Sequence, residues 1–257
     1  MLTGIDHIVI AVPDLAAASK SYADLGFTVV PGGRHPVGTH NALIAFTDGS
    51  YIELIAFYEP NPQHKWWQPL ERGGGLVDFC MQTDDLLADT AAFRRAGVPI
   101  DDPSPLSRVR PDGYELKWVL SIPRVGFRAV APFLIQDHTP REERVPRDHR
   151  HANGVIGIGT LTVAVDDVPR VRGWYAQVLG RPGDDAARDD LEASGARFTI
   201  GPHALEFVQP HRASSPLTGW LKTRGSSPYA ATLRTTGASR SLDPATTFGA
   251  RLRLEGR

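Results

Sequence analysis

Cysteine is almost missing from this chain. Cys80 is the only one in 257 residues, which excludes an internal disulfide and fits a reducing compartment. It lies in a strand-like run, so a buried, inert thiol is its expected state. Net charge is nearly missing too. The 28 Lys and Arg face 29 Asp and Glu, and a balance of −1 offers no field for nucleic acid or an anionic membrane surface. No run of about 18 apolar residues occurs, and the N-terminus has no basic region followed by an apolar core. A cytoplasmic protein with no membrane partner is expected. The motifs of several enzyme classes are absent as well: there is no P-loop, no dinucleotide fingerprint after a strand and no Gly-x-Ser-x-Gly elbow. The content of Ala, Arg, Gly and Pro suggests a GC-rich bacterial genome.

What is present is a unit that recurs three times. The first copy reads Ile5-Asp6-His7-Ile8-Val9-Ile10-Ala11-Val12-Pro13-Asp14-Leu15, with Leu25-Gly26-Phe27 after an Ala-rich stretch. The second opens Leu76-Val77-Asp78-Phe79-Cys80-Met81 and reaches Asp85 and Gly97; the third opens Ile158-Gly159-Thr160-Leu161 and reaches Asp167 and Gly180. Each copy begins as a Val- and Ile-rich strand. An aspartate then stands where a helix N-cap belongs, and a glycine where a left-handed C-cap ends the helix. Three strand-like runs follow in copy one: Phe27–Val30, Ala42–Phe46 and Tyr51–Phe57, the last two joined by Asp48-Gly49, a strong hairpin signal. The order is β-α-β-β-β, and a fixed repeat of this kind builds a fold from copies of one unit.

That order, with Asp6-His7-Ile8-Val9-Ile10, Val12-Pro13-Asp14-Leu15, Tyr22-x-x-Leu25-Gly26-Phe27 and Tyr51-Ile52-Glu53-Leu54, resembles the vicinal-oxygen-chelate superfamily. This superfamily includes glyoxalase I, bleomycin-resistance proteins and extradiol dioxygenases, and the glyoxalase-like branch with a long second half is the nearest match. The resemblance implies an α+β fold in which βαβββ modules pair into cup-shaped, partly open mixed sheets. One pair is complete and one incomplete. Residues 1–138 form a glyoxalase-like domain of two modules, about 1–60 and 74–138. A linker follows at 139–153, dense in charge and proline and expected to be an exposed connector. Residues 154–257 hold the third module and a truncated fourth, whose strand candidates are Tyr229–Thr236 and Ala250–Glu255.

In the superfamily, metal ligands come from the first and last strands of paired units. In copy one those positions are His7 and Glu53. In copy three they are Thr160 and Glu206, and threonine is a poor ligand, so no metal is expected in the second half. Copy two offers Asp78 and no acid near Phe133. Imidazole with carboxylate suits a divalent Zn, Fe, Mn, Ni or Co. Asp78 is a third ligand, a general base or a bystander acceptor. The plainer alternatives are a core histidine with one hydrogen bond and a Glu53 that points outward by alternation. His40 and Asn41, where the third strand of unit one begins, and Trp66, Trp67 and Trp118 are candidates for the pocket wall, since paired tryptophans in a loop cap a pocket or fill an interface. Arg124 and Arg128 are either partners for an anionic substrate or solvated surface charges. His149-x-His151 in the linker reads as incidental.

Two functions compete. One is a metal-dependent lyase, isomerase or dioxygenase acting on a small oxygenated molecule chelated in the N-terminal cup. The other is a metal-free binding or sequestration protein of the bleomycin-resistance type. The expected partner is a small molecule in both cases, and a monomer and a homodimer remain equally open.

Overall fold

The computed structural model describes residues 1–109 and 113–256. The first half runs β1 (Leu2–Ala11), α1 (Leu15–Asp24), β2 (Val30–Arg34), β3 (Thr39–Ala45), β4 (Tyr51–Phe57), α2 (Trp67–Glu71), β5 (Gly75–Thr83), α3 (Leu86–Arg95), β6 (Ser104–Val109), β7 (Glu115–Ser121) and β8 (Phe133–Asp137). A short helix α4 (Arg141–Arg144) lies in the connection. The second half runs β9 (Val155–Ala164), α5 (Val168–Leu179), β10 (Asp184–Arg188), β11 (Ala193–Ile200), β12 (His203–Pro210), α6 (Pro216–Arg224), β13 (Ser227–Thr235), β14 (Arg240–Ser241) and β15 (Arg251–Gly256). The halves form two curled mixed sheets, ordered β2-β3-β4-β1-β5-β8-β7-β6 and β10-β11-β12-β9-β13-β15-β14. The first sheet is a complete pair of modules. The second pairs a full module with a reduced one whose strands β13, β14 and β15 carry no intervening long helix.

The repeat's punctuation acts as its chemistry dictates. Asp14 accepts from the backbone N–H of Ala16 and Ala17, Asp85 from that of Ala88, and Asp167 from that of Arg170. Gly26, Gly97 and Gly180 take φ of 89°, 87° and 68°, where a side chain is strained. The central strands β1 and β5 are buried on both faces, which is why they read as continuous apolar runs. Ile8, Ile10, Phe79 and Met81 turn toward the helices in a core that also holds Tyr22, Phe93 and Tyr175. Val9, Ala11, Val77 and Cys80 turn the other way, onto the concave face. Each such fully buried side chain contributes about 2 kcal/mol.

Both halves share the helix-side core, since Ile158, Leu161, Phe198 and Leu233 join the same cluster. Polar ties cross the seam. Tyr22 Oη donates to Thr247 O at 3.1 Å, Tyr175 Oη to Val130 O at 3.0 Å, and the Ile5 N–H to His203 Nδ1 at 2.9 Å. His203 Nε2 and Arg234 then meet Asp48 at 3.3 and 2.6 Å.

Three expectations change. The strand foreseen at Phe27–Val30 begins only at Val30, because Phe27 is drawn under α1 against Tyr22. The connection is not an exposed tether. Arg144 and Val145 are buried, Val145 against Leu43, Ala45 and Tyr51 of the first sheet. His151 is a clasp rather than an incidental residue: its Nδ1 accepts from the Thr28 N–H at 2.9 Å and its Nε2 lies 2.8 Å from Ala45 O.

Candidate functional site

The first cup's polar centre is built on a slip in register. Between Ile5 and His7 the β1–β5 ladder gains an extra residue, Asp6, and a bulge of this kind re-aims side chains. Asp6 Oδ1 and His7 Nδ1 meet at 2.6 Å, both residues buried. A carboxylate only accepts, so the bond assigns a proton to Nδ1, and in the neutral ring Nε2 keeps its lone pair. That nitrogen faces Glu53 Oε2 at 3.5 Å. The other oxygen of Glu53 accepts from Asn41 Nδ2 at 2.6 Å. Tyr51 stacks on the His7 ring with centroids 4.5 Å apart, and Phe133 meets its edge at 5.3 Å.

Two acceptors therefore face each other in a buried place. A shared proton would draw N and O to about 2.7–3.2 Å. Two ligands held about 2.1 Å from one tetrahedral ion stand about 3.4 Å apart. The observed 3.5 Å fits the second arrangement, so the donor set fits a divalent cation. Asp6, His7 and Cys80 also bring possible ligand atoms within 4.8 Å of one another. Asp6 is the member of that trio least free to bind metal, because its oxygens already serve His7, Arg141 and Arg144. It is placed as the carboxylate that orients a metal-binding imidazole. Cys80 stands directly across from His7 in the ladder. Burial, and then the nearby Asp6 charge, push its thiol well above the ordinary range, so it is a protonated, unreactive thiol.

Asp6 keeps its charge despite burial, which by itself would raise its pKa. Arg144 and Arg141, with the His7 hydrogen bond, hold it well below the usual carboxylate range. Arg144 reaches Asp6 Oδ2 at 2.9 Å, Tyr51 Oη at 2.9 Å and both oxygens of Asp137 at 2.6 and 2.8 Å. Sequence reasoning missed both arginines. They sit in a segment whose charge and proline read as solvated, and no local signal distinguishes them from their neighbours.

Asp78 occupies the His7 position of unit two, each standing seven residues before its helix-capping aspartate. The Glu53 position of unit two is Phe133: Glu53 pairs with Val9, and Phe133 with Cys80, the corresponding residues of β1 and β5. Asp78 Oδ2 accepts from Lys65 Nζ at 2.7 Å and Trp66 Nε1 at 3.0 Å, and Oδ1 from the Phe79 N–H. The Lys65 ammonium lies 4.1 Å from the Phe133 ring centre and 4.6 Å from that of Trp66. Unit two thus supplies an ammonium where unit one offers two free acceptors.

The other expected wall residues separate. Trp66 and Trp118 pack into the concave apolar cluster with Phe133 and Ile135. Trp67 stands edge-on to Phe57 at 5.0 Å, at the margin of that cluster. His40 does not face the cup. It pairs with Ala56, whose side chain belongs to the helix-side core, and its ring lies on Tyr58. Strand alternation gives the inward position to Asn41, the donor to Glu53.

The second cup repeats the frame without the vacancy of charge. Glu206 pairs with Thr162 as Glu53 pairs with Val9, and Gly159 and Thr160 replace Asp6 and His7. Arg197 and Arg188 bind one Glu206 oxygen each, Arg188 at 3.1 Å. Arg197 also reaches Thr160 Oγ1 at 3.3 Å.

Comparison with known proteins agrees with this frame. The family model described as a glyoxalase-like domain matches residues 5–179. Among solved structures, a hypothetical protein from Staphylococcus aureus aligns with a TM-score of 0.71 at 17% identity, over 98% of this chain and 99% of that one. A variant of 4-hydroxymandelate synthase from Streptomyces coelicolor aligns with a TM-score of 0.62 at 15% identity, over 95% of this chain and 78% of that one. At such identities the likeness is one of fold. No curated protein matches the chain.

Proposed function

The chain belongs to the glyoxalase-like domain family, and from that premise we propose that its first cup is a metal-dependent enzyme site for a small oxygenated molecule. The observation that carries this reading is the facing of His7 Nε2 and Glu53 Oε2 at 3.5 Å, a buried imidazole nitrogen and a carboxylate oxygen at the separation of two ligands of one ion. His7 and Glu53 would hold a divalent cation. When bound, such an ion polarises a substrate oxygen and stabilises an enediolate-like charge. The chain's own residues do the rest. Asp6 fixes the tautomer of His7, Arg144 and Arg141 keep Asp6 ionised, and Asn41 orients Glu53. The Lys65–Asp78 pair stands at the matching point of unit two, where its ammonium can donate to a substrate oxygen or its carboxylate can accept a proton. A lyase, isomerase or dioxygenase is the reaction class this arrangement suits.

The test is the metal content of untagged protein beside Glu53→Gln. Near-stoichiometric metal in the wild type and none in the variant supports the reading, and turnover of 2-oxoaldehydes and catechols is then screened. No metal after incubation with Zn, Fe, Mn, Ni and Co overturns it. One observation favours a second reading. Lys65, Trp66 and Phe133 place a fixed cation against aromatic rings in the same cup, which suits metal-free sequestration of an aromatic ligand. Quenching of tryptophan fluorescence by such ligands in metal-free protein distinguishes the two.

A further inference from the structure

Where the two halves meet, a cavity of about 420 Å³ opens between the segment 62–72, β5 and the turn before β13. Its charge is one-sided. Lys65, Arg72, Arg128 and Arg224 line it, and Asp78 is the one acid among its described lining residues. Asp78 is already matched by Lys65 at 2.7 Å, so among the described residues the three guanidinium groups have no carboxylate partner. Arg128 donates through Nε to Pro123 O at 3.0 Å. Arg224 donates to Arg72 O at 3.1 Å and to Gly74 O. Carbonyl oxygens satisfy N–H groups but do not cancel charge. A further cation, Arg251, lies against the same Trp220 ring as Arg224, at 4.9 and 4.6 Å. Burial, with Arg251 and Arg72 nearby, lowers the Arg224 pKa, the mark of a cation lacking an anion.

His64 adds a neutral donor at the wall. Its Nδ1 accepts from the Trp66 N–H at 3.3 Å, which leaves the proton on Nε2. Burial, then Lys65, pushes its pKa down to about 4, so it is uncharged near neutrality. Gathering like charges in a partly desolvated cavity is unfavourable unless an anion completes it. The planar fork of a guanidinium matches carboxylate and phosphate oxygens in pairs.

We propose that this cavity is a binding site for an oxyanion group, phosphate or carboxylate, of a small molecule, held by Arg72, Arg128 and Arg224. The site stands whether or not the cup holds a metal. Trp66 and Val77 line this cavity and also belong to the concave cluster of the cup. A ligand anchored here by its anion therefore has its remainder beside the Lys65–Asp78 pair.

The experiment is calorimetric titration of the full chain with inorganic phosphate, pyrophosphate and succinate, repeated for Arg72→Gln, Arg224→Gln and, as a charge-matched control, Lys20→Gln. At least one anion is expected to bind, at least tenfold more weakly in both arginine variants and unchanged in the control. Preference for the phosphates or for succinate identifies the group. Arg72→Gln is the deciding variant, because Arg72 is exposed and its side chain makes no bond among the described residues, so its melting temperature and metal content should match wild type. Absence of binding by all three anions, or equal binding by wild type and Arg72→Gln, overturns the proposal.

Discussion

Glu53 and Glu206 stand at the same point of the two sheets, each 46 residues after the strand position that faces it. Their company differs. Glu53 has one oxygen on Asn41 and the other facing His7 Nε2, with no Lys or Arg in ion-pairing contact among the described residues. Glu206 is held by Arg188 and Arg197, so its charge is already spent. The same frame thus presents one carboxylate awaiting a cation and one neutralised by the chain itself. A buried charge is kept only where something balances it, so the unbalanced cup is the one to expect a ligand ion in.

The sharpest way to break this comparison is to remove each carboxylate in turn. Glu53→Gln and His7→Ala are expected to lower metal affinity at least a hundredfold, measured by metal analysis and competition with a chelator. Glu206→Gln should leave metal content unchanged and lower stability by about 1–2 kcal/mol in urea unfolding, since it strands two partly solvated arginines. Asp6→Asn tests the support beneath His7. It should weaken metal binding about 10–100-fold through lost orientation and destabilise the fold by about 3–5 kcal/mol by leaving Arg144 undercompensated.

A smaller effect follows from His64. Its pKa is about 4 in the folded protein against 6.5 for the free side chain, so between those values the unfolded chain binds more protons. Its contribution to stability is complete above pH 6.5 and is lost as pH falls toward 4. His64→Gln should flatten the melting temperature profile across that window. The smallest expected effect is a gain that does not occur. Thr160→His restores the missing ring in the second cup, yet metal content should not rise while Arg188 and Arg197 hold Glu206. Uptake of a second equivalent would show that the arginines do not decide the difference.

Much of the frame was legible in the sequence because it rests on local rules. Strand periodicity, the capping aspartates at 14, 85 and 167, and the glycines that end each helix are short-range features, and all three units fold accordingly. The pair His7 and Glu53 was named from the ligand positions that the superfamily resemblance implies, and β1 and β4 bring the two side chains to 3.5 Å. Of His40 and Asn41, both named there, only Asn41 turns into the cup, because alternation decides between them and the strand's phase is set only when β3 pairs with β4.

The partners of those residues were not legible, and the reason is distance along the chain. Arg141 and Arg144 reach Asp6 from more than 130 residues away, out of a stretch that composition marks as solvated. Arg72, Arg128 and Arg224 line one cavity only because the halves share one core. By itself, then, the sequence determined the repeated unit and its caps, since these depend on neighbours three to four residues apart or on strand alternation. The tertiary structure alone decided which charges are balanced and which are left over. Electrostatic pairing acts through space between groups that no sequence interval relates.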